Sequence, residues 1–119
     1  MLNDFKLTEG FNLKEFQCPC CGTVKIDSEL VKRLQELRHR IDKPIIITSG
    51  YRCPSHNKEV GGVNSSYHTQ GLAVDITVEN MELEDLLIRA KKVGFRGIGI
   101  YRRLRFLHLD LGPTRNWEA

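Results

Sequence analysis

Leu72-Ala73-Val74-Asp75-Ile76-Thr77-Val78 alternates with the two-residue period of a β-strand. Leu72, Val74, Ile76 and Val78 fall on one face, and Ala73, Asp75 and Thr77 on the other. Asp75 therefore points away from the aliphatic layer. An aspartate inside such a run opposes strand propensity and needs a compensating partner. Downstream, Phe106-Leu107-His108-Leu109-Asp110-Leu111 repeats the alternation, with His108 and Asp110 together on the polar face. Upstream, Ser66-Tyr67-His68-Thr69-Gln70-Gly71 supplies another imidazole from a polar loop. His68, Asp75 and His108 amount to three protein ligands for one Zn2+. A fourth position left open is what hydrolytic chemistry requires, whereas structural sites close the tetrahedron with four protein ligands.

The remaining elements are read outward from this strand. Asp27 or Ser28 caps a helix whose Leu30, Val31, Leu34, Leu37 and Ile41 recur at helical spacing, and Lys43-Pro44 stops it. Residues 45–48 form a short β-branched strand that delivers Tyr51 and Arg52 to a surface loop. Residues 54–60 make one or two helical turns before Gly61-Gly62. Residues 82–93 read as an amphipathic helix closed by Gly94. Residues 97–101 and 106–111 flank the basic turn Arg102-Arg103-Leu104-Arg105 as a hairpin, and these two strands finish the domain. Residues 1–25 carry few periodic apolar positions and read as an irregular, cysteine-containing segment. The expected fold is α+β: a small antiparallel sheet with helices packed on one face and the metal site on the other.

With 119 residues, 40% hydrophobic and 28% charged, residues 1–119 are expected to be one folded domain and a monomer. A net charge of +3 falls short of a nucleic-acid footprint. No run is long and apolar enough for a membrane span, and residues 1–6 hold no leader core, so synthesis in the cytoplasm without a signal peptide is expected.

Cys18, Cys20, Cys21 and Cys53 leave three readings open. Cys18-Pro19-Cys20-Cys21-Gly22 resembles a zinc knuckle, and Cys53-Pro54-Ser55-His56 offers a second pair, so Cys18, Cys21, Cys53 and His56 are candidates for a structural Zn2+. A disulfide from Cys53 to Cys18, Cys20 or Cys21 would fasten the same segments, and free thiols are the third reading.

The spacing Ser66-x-His68-x-x-Gly71-x-Ala73-x-Asp75, followed by the strand-borne His108, resembles the zinc D-alanyl-D-alanine peptidases of the M15 family. Ser49-Gly50-Tyr51-Arg52, Asn57 and the ending 106–117 resemble its murein endopeptidase K-type branch, so the likeness covers about residues 26–117 in separated motifs. It implies a hedgehog/DD-peptidase-like fold and Zn2+ held by His68, Asp75 and His108. It also implies Arg52 and Ser66 as substrate-binding residues, and hydrolysis next to D-amino acids in peptidoglycan stem peptides or cross-links, by endopeptidase or carboxypeptidase action. A guanidinium suits a peptide carboxylate because it donates two parallel hydrogen bonds. Action on the cell wall is the matching expectation, and the small size together with the lack of a leader core suits a phage or prophage product. The likeness breaks where several M15 enzymes place a catalytic Glu, Asp or His two or three residues before the last ligand, for Arg105 and Phe106 stand there. Asp110 is the nearest carboxylate, either as base or as a group orienting a ligand. The missing base also motivates a rival reading, a metal-bearing wall-binding module without catalysis.

Overall fold

The computed structural model describes residue 3, residues 6–63 and residues 66–119. The Leu72–Val78 alternation becomes strand β4 (Ala73–Thr77), whose Val74 and Ile76 enter the core while Asp75 lies on the opposite face. Around it run β3 (Ile46–Ser49), β5 (Gly97–Tyr101), β6 (Phe106–Asp110) and β7 (Arg115–Glu118). The spatial order is β3-β4-β6-β5-β7. Every pairing is antiparallel except β5 with β7, which is parallel. The hairpin of β5 and β6 turns through the basic residues as expected, with Arg105 at φ 58°.

Two expectations are corrected. The domain does not finish on two strands: after Gly112-Pro113-Thr114 the chain adds β7 to the sheet edge and makes the sheet mixed. Nor is residues 1–25 irregular throughout. β1 (Lys6–Thr8) and β2 (Phe11–Asn12) pair as a hairpin, and residues 13–16 form a 3-10 turn. Asn12 and Glu15 close its start reciprocally, with Lys14 N–H donating to Asn12 Oδ1 (3.0 Å) and Asn12 N–H to Glu15 Oε2 (2.6 Å). Phe11 and Phe16 are thereby buried in the main core.

Helix α1 (Ser28–Ile41) starts at Asp27, whose carboxylate accepts from Glu29 N–H (2.8 Å), and ends at Asp42 in the left-handed conformation before Pro44. Its stripe Leu30, Val31, Leu34, Leu37 and Ile41 is buried. Each fully buried leucine contributes about 1.5–3 kcal/mol of transfer free energy. Helix α2 (Pro54–Glu59) is short and has Pro54 in its first turn. Helix α3 (Leu83–Lys92) packs on α1 and against β5 and β6. Arg33 reaches from α1 to the end of α3, where Nη1 donates to Val93 O (2.7 Å). The two long helices thus cover the aliphatic face made by Val74, Ile76, Ile98, Ile100, Leu107 and Leu109. Among the described residues, no helix is long and apolar enough to cross a membrane.

The other sheet face holds the polar residues. Pairing aligns Ser49, Asp75, His108, Gly99 and Trp117 in one transverse row across all five strands. Ala73, Asp110, Gly97 and Arg115 form the next row. Gly99 matters for shape, because a Cβ there would fall inside the indole of Trp117. The indole can lie down on the sheet only over a glycine.

Candidate metal centre

Asp75 and His108 face each other directly across β4 and β6, and a 3-10 turn over residues 67–70 brings His68 over them. One ligand atom from each of the three side chains lies within 4.8 Å of the other two. Asp75 Oδ1 is 3.2 Å from His68 Nε2 and 3.0 Å from His108 Nδ1, and the imidazole centroids are 5.1 Å apart. His68, from the polar loop, is buried.

Each imidazole is held by its other nitrogen. His68 Nδ1 donates to Gly50 O (2.8 Å), leaving the Nε2 lone pair toward Asp75. His108 Nε2 donates to Asp110 Oδ2 (2.7 Å), leaving Nδ1 for the centre. Fixing the outer nitrogen sets the tautomer and aims the inner one, as at metal-bound histidines generally. Two neutral imidazoles and one carboxylate, their ligand atoms converging, fit a single Zn2+ with a coordination position to spare.

With no metal between them, burial opposes ionisation of Asp75, but protons on the inner ring nitrogens of His108 and His68, donated to its carboxylate in place of a metal ion, outweigh this and hold the carboxyl down at about 2. Burial likewise disfavours the charged His108 ring, yet Asp110 and Asp75 overcome this and raise its pKa above 6.5. Asp110 is wholly buried. Desolvation alone would raise its pKa; His108, the Arg115 guanidinium and the Gly112 N–H lower it well below the usual carboxylate range. Arg115 grips it through Nη1 to Oδ1 (3.0 Å) and Nη2 to Oδ2 (2.8 Å), and Gly112 N–H donates to Oδ1 (2.9 Å). Both Asp110 oxygens are therefore engaged.

Arg52 reaches the centre from the loop after β3. Its Nη2 donates to Asp75 Oδ2 (3.2 Å), Nη1 to Asn57 Oδ1 (3.3 Å) and Nε to Ser49 Oγ (3.1 Å). Asn57 is itself buried and donates to Val63 O (2.7 Å). Ser66 Oγ accepts from His68 N–H (3.2 Å), which caps the 3-10 turn. Arg105 is an exposed turn residue, and Phe106 stacks on Tyr101 with centroids 4.4 Å apart. Neither offers a proton acceptor.

The centre opens into a cleft of about 710 Å3 lined by Arg52, Ser66, Tyr67, His68, Asp75 and His108, with Tyr101, Phe106, Arg115 and Trp117 as an aromatic and basic wall. A second depression of about 620 Å3 lies beyond Arg52 and Asp75, bordered by Thr48, Ser49, His56 and Thr77. The wall was not read from the sequence. Trp117 Nε1 donates to Tyr101 Oη (3.0 Å), its ring lies 5.2 Å from His108, and the Arg115 guanidinium lies over both Trp117 and Tyr67. The signal available was Gly97-Ile98-Gly99-Ile100-Tyr101, a strand with isoleucines on the core face and, at Gly97 and Gly99 on the other, no side chain at all.

The thiols of Cys18, Cys21 and Cys53 come together, and the fourth side chain that converges with them is Cys20, not His56. The His56 ring points elsewhere, with Nδ1 3.8 Å from Glu59 Oε2; only its backbone N–H meets the group.

Asp75 and His108 on neighbouring strands and His68 on the turn above them make a His/Asp/His set on an α+β scaffold, the kind of set a metallopeptidase uses. A family model described as peptidase M15 matches residues 8–110, and the chain belongs to that family. Over 99 residues it is 35% identical to the peptidoglycan L,D-endopeptidase MepK of Escherichia coli K12, covering 77% of this chain and 54% of that protein. The probable peptidoglycan L,D-endopeptidase MepK of Haemophilus influenzae is 28% identical over 103 residues, covering 80% of this chain and 55% of that protein. The zinc D-Ala-D-Ala carboxypeptidase of Streptomyces albus G is 33% identical over 91 residues, covering 73% and 36%. The chain thus spans about half the length of its MepK relatives.

Proposed function

We propose that this chain is a zinc-dependent peptidase that cleaves peptidoglycan stem peptides or their cross-links next to a D-amino acid. The observation that carries the reading is the convergence of His68 Nε2, Asp75 Oδ1 and His108 Nδ1, each imidazole anchored through its other nitrogen. The peptidoglycan activities named for the relatives support the substrate class. His68, Asp75 and His108 would hold a Zn2+, which would supply Lewis acidity to polarise a scissile carbonyl and to lower the pKa of water so that hydroxide is available near neutral pH.

The protein's own groups then have separable tasks. Arg52, steadied by Ser49, Asn57 and Asp75, presents its guanidinium at the junction of the two depressions, where a peptide carboxylate can receive it. Ser66 acts chiefly through His68, whose N–H it caps. Asp110 orients His108 and is too fully engaged to serve as the base. Trp117, Tyr101 and Phe106 form an apolar wall that limits water on one side of the centre.

Among the described residues lining the main cleft, Asp75 is the one carboxylate, and it belongs to the ligand set. That observation favours a second reading, a metal-bearing wall-binding module without catalysis. Mass spectrometry of muropeptides digested with the zinc-loaded protein decides between them. New stem-peptide termini that vanish with His68→Ala support the peptidase and identify the bond. Binding to purified walls with no cleavage at full zinc occupancy overturns it.

A further inference from the structure

We infer that Cys18, Cys20, Cys21 and Cys53 form a structural zinc site of four thiolates, which fastens the segment after the N-terminal hairpin to the turn that carries Arg52. The four sulfurs all lie within 4.8 Å of one another, with Cys18 and Cys20 3.5 Å apart and Cys20 and Cys53 3.3 Å apart. A tetrahedron with zinc–sulfur bonds of about 2.3 Å has edges of about 3.8 Å, so modest adjustment brings these sulfurs onto one ion. A disulfide would use two of them and leave two thiols beside it. Four convergent sulfurs is the ligand count of a closed structural site.

The backbone is arranged for thiolates. Residues 18–22 turn back on themselves, with Gly22 N–H donating to Cys18 O (2.8 Å) and Cys18 N–H to Thr23 O (2.8 Å). Cys53 N–H donates to Cys18 Sγ and His56 N–H to Cys53 Sγ, each at 3.5 Å. Such donors stabilise sulfur that has given its proton to solvent on metal binding. His56 contributes through its main chain, which assigns the fourth bond to Cys20.

The location gives the site a task. Cys53 follows Arg52, and Gly50, whose carbonyl holds His68, lies just before. Tyr51 N–H donates to Phe16 O (2.8 Å), so the N-terminal turn and the Arg52 loop touch there as well as at the Cys53 N–H to Cys18 Sγ contact. An ion at the four cysteines turns that second contact into a metal-bonded attachment and fixes the stretch from 50 to 53 at both ends.

The inference is independent of the proposed activity and is tested on metal alone. His68→Ala protein, purified under reducing conditions, should retain ~1 zinc per chain whose X-ray absorption shows only sulfur neighbours at about 2.3 Å. Adding Cys20→Ser should release that zinc or lower its sulfur count, whereas adding His56→Ala should leave both unchanged. Should the variants not fold, the unsubstituted protein loaded with Co2+ must show sulfur-to-cobalt charge transfer, because the His/Asp/His set contains no sulfur. Absence of that band or of retained zinc overturns the inference. So does a mass lower by one disulfide with alkylation blocked until reduction. A mixed nitrogen and sulfur shell that changes with His56→Ala overturns the ligand assignment.

Discussion

Asp110 shows how much of the centre depends on a side chain that does not face the open position. It is fully buried, and its oxygens meet His108, Arg115 and Gly112. Asp110→Asn should lower zinc affinity by about 10–100-fold, measured by competition with a chromogenic chelator. Arg115→Ala should cost about 1–3 kcal/mol in chemical denaturation, less than breaking a fully buried pair, because the arginine side chain is 38% exposed. Arg52→Lys keeps the charge but loses the fork; kcat/KM should fall at least ~10-fold with zinc content unchanged. Proton and metal compete for His108. In the metal-free chain its raised pKa means that the charged ring stabilises the fold below 6.5, and that this contribution is lost as pH rises through the raised value. Asp75, held down at about 2, stays ionised throughout that range. Zinc needs the neutral ring, so the Tm gain on adding zinc should be small at about pH 5.5 and larger at about pH 8. A gain independent of pH would count against His108 as a ligand.

At the scale of elements, β4 and β6 were legible because period-two alternation isolates Asp75, His108 and Asp110 from the leucines and valines beside them. α1 and α3 were legible from their apolar stripes and terminal signals. β7 was not: Arg115-Asn116-Trp117-Glu118 has no aliphatic residue, since its partner on the sheet face is the bare Gly99 and its burial is only partial. The N-terminal hairpin was missed because strands of three and two residues are too short to show a period. That the Cys20 thiol and not the His56 ring converges with Cys18, Cys21 and Cys53 was not legible, because C-x2-C and C-x2-H spacing does not report where side chains in adjacent turns point. The glycine under Trp117 makes a direct test. Gly99→Ala forces the indole off the sheet and, through its contact with His108, disturbs the centre. A loss of about 1–3 kcal/mol, with activity falling further than stability explains, is expected from denaturation and digestion assays.

For the whole molecule, the N-terminal segment works as a back support for the active loop. Phe16 is fully buried, its carbonyl receives Tyr51 N–H, and a Cβ on Gly50 would meet the Phe16 Cα at 2.7 Å. Phe16→Ala should therefore cost about 3–5 kcal/mol. It should also weaken zinc binding, since Gly50 O holds His68. If calorimetry found the stability lost but zinc affinity untouched, the support would be to the core alone. The transverse row Ser49, Asp75, His108, Gly99 and Trp117 has a bearing on how this chain can change length. One residue added within β4 or β6 would turn every later side chain of that strand over, sending Asp75 or His108 into the helices and a leucine or valine out. One added in the turn after Tyr101 leaves the row intact. Variation in length is thereby channelled into the turns, and kin too distant to align should still be recognisable by the parity of the spacings within their strands.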